Sequence, residues 1–503
     1  MFTRWAPVLG ALGMALSAGT AAAQPAPAPD PPAVLAGFQE GFFLRDAHDW
    51  FRLYPRARLN LDLNGSLGPG VSELKAVDGG TALTPKVLVR RLRLELGGDL
   101  FQERVSFFGS VDFGGQTITN ANGKTVQSAG RAGLAPSAAS ARWAAVQTST
   151  STAAPQDVWV NLHAAPWLNA MIGQYQAPLG MENRTSDGLT PWMERNVAIR
   201  GFAYPNVKET GITAWGALDR DVFVYEVGIF GGDGQNRPQV DDRFDYLGRV
   251  YTRPLALGGG PLAKLQIGVS AHHGDRDPTA VGYDYATITT GQGFTLWDPT
   301  YTDSLGRLIH VIPSGAQNEI GGELRVPVGR VALRAEAYRV DNQTREAVDG
   351  YQLTNTERYG RVSGAAWYVQ LSAWPFGDPW VSGDPGMTRP RTLDLTAPPE
   401  RLKRGLEVLI IAAGIDARYD GASRGGVADK KTPSGDVTVY EMGYGASYWV
   451  SRFFRAAVNY IVYDTPGSGT SANSATVPGN LGKTPTAGAH VLHEISARLA
   501  VQL

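Results

Sequence analysis

The sequence predicts an all-β chain, a transmembrane antiparallel β-barrel of about 16 strands with long extracellular loops. Three observations lead there. Polar and apolar residues alternate with period two in many runs, the connections between runs alternate between short and long, and only 18% of the 503 residues are charged, below the roughly 25% of an average soluble domain. Lysine is scarce, with 9 Lys against 37 Arg. Hydrophobic residues make up 43% of the chain, yet past the N-terminus the longest apolar stretch, Val408 to Ile415, is far short of the roughly 20 residues a spanning helix needs. A net charge of −1 excludes a generally basic nucleic-acid binder. The absence of cysteine excludes a disulfide scaffold, thiolate metal sites and cysteine nucleophiles.

The N-terminus sets the compartment. Arg4, the apolar stretch Trp5 to Gly19 and the A-x-A site Ala21-Ala22-Ala23 predict a signal peptide over 1–23. Residues 24–49 then form a periplasmic segment that opens with the proline-rich Gln24 to Pro32, an extended tether that cannot continue a helix. Residues 50–503 form the barrel, and export without a stop-transfer helix places the chain in the periplasm, the outer membrane or the medium.

The strands follow from period two. Arg56, Arg58, Asn60 and Asp62 oppose Ala57, Leu59, Leu61 and Leu63, and Arg91, Arg93 and Glu95 oppose Leu92, Leu94 and Leu96. Gln266, Ser270 and His272 oppose Ile267, Val269 and Ala271. Arg334, Glu336 and Tyr338 oppose Leu333, Ala335 and Ala337, and Glu494, Ser496 and Arg498 oppose Ile495, Ala497 and Leu499. The full set is 50–63, 87–98, 104–113, 157–162, 168–175, 209–217, 222–230, 244–252, 262–273, 317–326, 331–341, 361–373, 405–418, 437–449, 453–464 and 490–503. Short turns such as Asp99 to Glu103 and Val450 to Arg452 mark the periplasmic rim, with Trp374 to Arg404 as a long exception. The opposite connections, such as Gly114 to Gln156 and Gly274 to Gln317, are long. Trp50, Phe51, Trp167, Trp215, Trp374, Trp449, Phe453 and Phe454 fall at the short-turn ends, where an interfacial girdle is expected. A large secreted all-β protein is the alternative.

Six segments carry a family likeness: GFFLRD (Gly41 to Asp46), RRLRLELGGDLF (Arg90 to Phe101), VDFGG (Val111 to Gly115), IGQYQAPLGMENRTSD (Ile172 to Asp187), PWMERNVA (Pro191 to Ala198) and YEVGIFGGDG (Tyr225 to Gly234). Together they resemble the phosphate-selective porin O/P family, most densely from Arg90 to Arg253 and again at Gly443 to Tyr460. The resemblance implies a homotrimeric 16-stranded outer-membrane porin in contact with lipid, whose third loop, here Gln176 to Lys208, folds into the lumen. It implies a channel for small anions such as phosphate. The chain ends in Leu503, where members commonly end in an aromatic residue.

The inward-facing charges are nearly balanced, so the expected pathway residues are particular arginines rather than an overall excess. Arg56, Arg58, Arg91 and Arg93 lie on neighbouring strands and converge on one patch of wall, with cross-strand pairing to Asp62 and Glu95 as the alternative. The loop carries Arg184, Arg195, Arg200 and Lys208. Arg184, Arg195 and Lys208 are expected to face the pathway while Glu182 and Glu194 are tied to the wall. The alternative makes these arginines the tethers.

Other chemistry is weaker. Gly421-Ala422-Ser423-Arg424-Gly425 matches a hydrolase elbow but is followed by a loop rather than the required helix. His272-His273 and the pair His490 and His493 place neighbours on opposite strand faces. Gly123-Lys124-Thr125 and Gly482-Lys483-Thr484 are half Walker motifs in loops. Asp233, Asp241, Asp242 and Asp245 suit a solvated acidic loop better than a Ca²⁺ site. No cofactor, metal or nucleic-acid partner is expected, and the chain reads as a passive channel rather than an enzyme. An outer-membrane hydrolase using Ser423 and a barrel anchor with little conductance are the competing classes.

Overall fold

The computed structural model describes residues 35–38, 41–68, 83, 85–114, 117–119, 125–127, 153–203, 207–219, 221–277, 285–297, 300–302, 308–348, 358–379, 404–423, 434–466 and 491–503. The signal-peptide and proline-rich stretches, His490, the second half Walker motif and the elbow residues after Ser423 lie outside them.

Sixteen strands form one antiparallel sheet that closes on itself. They are β1 (Phe51–Leu67), β2 (Lys86–Leu100), β3 (Val105–Asp112), β4 (Ala154–Ala165), β5 (Leu168–Gln176), β6 (Lys208–Leu218), β7 (Phe223–Phe230) and β8 (Asp245–Thr252). The second half comprises β9 (Gln266–Arg276), β10 (Leu308–Val328), β11 (Val331–Val348), β12 (Arg358–Gly377), β13 (Gly405–Ser423), β14 (Ser434–Ser451), β15 (Phe454–Asp464) and β16 (Val491–Gln502). The seam pairs β16 with β1 from His493 opposite Leu67 to Gln502 opposite Arg58. Closure matters because lipid offers no hydrogen bonds to an open sheet edge. Each of the 16 predicted strands overlaps an observed one.

The alternation sets the two faces. Leu59, Leu61, Leu63, Leu94 and Leu96 are exposed on the outside, while Arg58, Asn60, Asp62, Arg93 and Glu95 are buried within. One irregularity alters this pattern: Asn60 pairs with Arg91 and Leu61 with Val89, so Arg90 is bulged out of the ladder. Two consecutive arginines, Arg90 and Arg91, are thereby buried on the lumenal side.

Strand lengths divide the wall. β3 to β9 run 8–12 residues, whereas β10 to β14 run 18–21. At the periplasmic end, a hairpin of Ala36–Phe38 and Phe42–Arg45 continues the wall below the C-terminus, pairing Leu44 with Leu53 and Arg45 with Arg52. Trp50, Phe51 and Trp167 are exposed at that rim as a girdle requires. Trp215, Trp374 and Trp449 are instead buried. The strand register turns these three inward, where Trp215 donates to Asn161 at 2.7 Å and Trp449 supports the Arg455 guanidinium 4.8 Å above its ring.

Candidate permeation pathway

The connection between β5 and β6 folds into the barrel and fastens to the far wall. At its first bend Gly180 has φ +74°, and a Cβ there would lie 1.7 Å from the Tyr338 hydroxyl. The following amides of Met181 and Glu182 donate to the two carboxylate oxygens of Glu336 on β11, the second at 3.0 Å. Tyr338 and Tyr368 donate to the same carboxylate at 2.9 and 2.8 Å. Further along, Arg455 on β15 donates to the Thr190 carbonyl at 2.7 Å, and Val197 N–H donates to Glu441 on β14 at 2.7 Å. Arg498 on β16 donates to the Met193 carbonyl.

A second segment also enters the lumen, between β9 and β10. The short hairpin Ile288–Thr289 and Thr295–Trp297 crosses toward β15 and β16. Gly291 N–H donates to the Tyr463 hydroxyl at 3.0 Å, and Gln292 donates to Ser496 at 2.7 Å. Ile288, Phe294, Leu296 and Trp297 pack with Val197, Ile199 and Phe202 of the first loop. All of them rest against lumenal Val311, Val340, Ile411, Ile415 and Val439. Each fully buried side chain of this kind contributes about 1.5–3 kcal/mol, enough collectively to hold both loops against one wall. The lumen therefore has an apolar sector on β10 to β15, filled by protein, and a charged sector centred on β16 and β1 to β3.

Nine charged groups form one network in the charged sector. Arg90, Arg91, Arg93 and Arg498 come from the wall and Arg195 from the loop. Asp62 and Asp112 are wall acids, and Asp187 and Glu194 belong to the loop. Glu194 takes both Arg91 terminal nitrogens at 3.2 Å, Arg498 at 2.8 Å and Arg90 at 3.2 Å. Asp187 takes Arg195 at 2.7 Å and Arg93 at 3.1 Å. Arg498 closes the seam by a two-point pair with Asp62 at 2.6 and 2.7 Å. Burial by itself would push the Glu194 and Asp187 carboxyls up. The surrounding guanidiniums overcome it and hold both well below the usual carboxylate range. Glu182 shows the reverse: burial pushes its carboxyl up, Arg195 and Arg334 offset that incompletely, and its Oε2 has no hydrogen-bond partner.

The expected pathway residues separate accordingly. Arg91 and Arg93 belong to the network. Arg58 is buried nearby, 3.4 Å from Glu95, as the cross-strand alternative allows. Arg56, on the same face of β1, is half-buried. Arg195 reaches Asp187 and the Thr185 carbonyl, both at 2.7 Å. The expectation that Arg184 and Lys208 face the pathway is corrected, because a charge in so enclosed a place is stable when paired. Arg184 is bound to Glu226 at 2.7 Å and to the Gln176 carbonyl at 2.5 Å. Lys208 is bound to Asp157 at 2.7 Å. Arg200 joins the two loops, donating to the carbonyls of Arg195 and Thr289 at 2.6 Å each. Glu194 is tied to the wall. Sequence reasoning missed Arg90, hidden by the bulge, and the second inward segment, whose signal was the apolar cluster from Ile288 to Trp297 inside a loop otherwise polar.

Below the loop, on the periplasmic side, lies a small open recess lined by Arg58, Asn60, Asp187, Arg452, Arg455 and Gln502, among others. Arg58 Nε and Nη1 have no hydrogen-bond partner. Elsewhere, the acidic group is internally satisfied: Asp245 binds Arg276 at 2.5 Å and His272 at 2.9 Å, and Asp233 accepts from Val240 N–H at 2.9 Å. His273 points to the opposite face and meets Asn318 at 2.7 Å. Ser423 ends β13.

The family described as Phosphate-selective porin O and P matches the chain over residues 61–477. No match is found among curated proteins. Among solved structures, the chain is similar to OprB of Pseudomonas putida in its high-pH structure, at 12% identity over 90% of this chain and 94% of that one, with a TM-score of 0.47. The outer-membrane channel DcaP of Acinetobacter baumannii is similar at 10% identity, over 93% of this chain and all of that one, with a TM-score of 0.45. The anion-selective porin of Comamonas acidovorans is similar at 11% identity, over 90% of this chain and all of that one, with a TM-score of 0.42.

Proposed function

The chain belongs to the phosphate-selective porin O and P family, and from that premise we propose that this bacterial outer-membrane channel passes small hydrophilic solutes with a preference for anions such as phosphate. The observation that carries the preference is the recess beneath the loop. Three arginines and one carboxylate line it, and Arg58 offers two buried N–H donors without partners. A buried unsatisfied donor is costly, and a passing oxyanion or its hydration water satisfies it. The network above adds a small surplus, five arginines against four carboxylates. Solutes on this reading move along the charged sector past Arg91, Arg93 and Arg195 to Arg58, with Arg56 beyond. Arg184, Arg200 and Lys208 hold the loop in place.

The remaining readings belong to the same proposal. Residues 1–23 are the signal peptide, 24–49 the periplasmic segment and 50–503 the barrel, which assembles as a homotrimer. The deciding experiment is the reversal potential of single channels in a KCl gradient, with conductance compared in chloride and in phosphate. Anion preference that falls when Arg58 and Arg91 are both replaced by Ala supports the assignment. Cation preference in the native channel, or an unchanged preference in the double variant, overturns it.

A further inference from the structure

The outer faces of β11 to β14 change character at one height. The row Ala337, Trp367, Gly414 and Tyr440 runs across the four strands by direct pairing. Below it the exposed side chains are apolar, including Val369, Leu371, Ile410, Met442 and Tyr444. Above it charged side chains appear among small and polar ones. Arg339 and Asp416 lie on the next row, Asp341, Arg418 and Asp436 on the second, and Arg361 and Asp420 on the third, so that four carboxylates stand among three guanidiniums. Trp367 and Tyr440 stand at the change, where an interfacial aromatic belt belongs.

Strand geometry converts rows to heights. Two residues of a strand tilted about 40° rise about 5 Å along the membrane normal, so the three charged rows lie roughly 5, 10 and 15 Å above the apolar band. The first falls within the headgroup layer, which adds about 5–8 Å to each side of the hydrocarbon core, the second lies just past its outer edge, and the third stands several ångströms above it. Arg361 pairs with Asp341 at 2.9 Å, with side chains 55% and 40% exposed. Arg418 pairs with Asp420 at 2.9 Å, at 58% and 57%. Pairs this open add little to the stability of a barrel.

We propose that this collar binds the phosphate-bearing headgroups of outer-leaflet lipid, with Arg339, Arg361 and Arg418 engaging phosphate and Asp416 and Asp420 meeting the divalent counter-ions that bridge such headgroups. The occupant follows from continuity and charge. The same four strands carry the lipid-contacting apolar band directly beneath, and interleaved guanidinium and carboxylate groups complement a lattice of phosphate and divalent cation. The five strands that include this face are also the longest in the barrel, which is what carries the charges to headgroup height and above it.

The test uses the full protein in detergent with two probes, diphosphorylated lipid A and the same lipid without its phosphates, each with Mg²⁺ and followed by native mass spectrometry. A variant carrying Arg339→Gln, Arg361→Gln and Arg418→Gln should bind the diphosphorylated lipid about a hundredfold more weakly. Its single-channel conductance should be unchanged, since the three residues lie outside the lumen, and this confirms a folded barrel. The native protein should favour the phosphorylated lipid, less so as ionic strength rises. Equal affinity of variant and native protein, or no discrimination between the two lipids, overturns the proposal. So does disulfide cross-linking between two copies bearing Arg418→Cys in membranes, which would make the face a protein contact.

Discussion

Replacing Glu194 with Gln removes one of four carboxylates from a network that holds five arginines, while leaving the side chain's size unchanged. The wall guanidiniums of Arg90, Arg91 and Arg498 stay in place with one charge fewer to neutralise them. For an ion passing about 6 Å away, the added unit of positive charge amounts to about 0.7 kcal/mol at the permittivity of water and about 2.8 kcal/mol at an effective permittivity of 20. The lower figure, favouring the anion and opposing the cation equally, already multiplies the anion-to-cation permeability ratio by about ten. Reversal potentials in a KCl gradient measure that ratio directly, and the single-channel conductance recorded alongside reports the loop's position, because the contacts at Thr190, Val197 and Glu182 persist. A shift toward anions with conductance within twofold of native is expected. An unchanged ratio, or a shift toward cations, would refute the assignment of this network to the pathway.

The loop gives three more predictions and the wall a fourth. Asp187 and Glu194 are held below the usual range, so the anchoring they supply is complete above about pH 4 and fades as pH falls through their lowered values. Channel noise and protease access at the loop should match between pH 7 and pH 4, and loosening already at pH 5 would contradict this. Glu182 is pushed the other way, so its penalty grows as pH rises past the ordinary glutamate value. Glu182→Gln should match or exceed the native urea midpoint at pH 7, with the advantage gone at pH 4, and a clear loss of stability at pH 7 would count against the reading. Gly180→Ala drives a Cβ into the Tyr338 hydroxyl at a positive φ, and should free the loop tip and raise conductance; unchanged conductance would show that the tip does not limit the pore. Finally, Leu94→Arg on the lipid face should cost about 2–4 kcal/mol in folding into vesicles, whereas Asn60→Asp, beside Arg58 and Arg455 in the recess, should cost under about 1 kcal/mol. Equal costs would undo the assignment of faces.

Period two recovered the barrel because a wall between lipid and lumen imposes the same alternation on every strand. It stopped short at the upper ends of β10 to β14: β10 was read from Gln317 but starts at Leu308, and β11 and β13 were read as ending at Asp341 and Arg418 but reach Val348 and Ser423. Above the apolar band the outward residues become Arg339, Asp341, Arg361 and Asp420, and a strand wet on its outer side resembles a loop. Within the site, alternation found Arg58, Arg91 and Arg93, but Arg90 needed the bulge, which only the pairing of β1 with β2 reveals. The partners of Arg184 and Lys208 were beyond reach because Glu226 and Asp157 lie on other strands, and charge balance alone does not say which acid meets which base.

Arg498 has a consequence for the order of events in assembly. It sits on the last strand, grips Asp62 on the first, and with its remaining donors holds Met193 and Glu194 of the inward loop. Until the two ends of the chain meet, the loop lacks one of its anchors and Asp62 has no arginine across from it. The contact that joins the first strand to the last is therefore also one that fastens the inward loop.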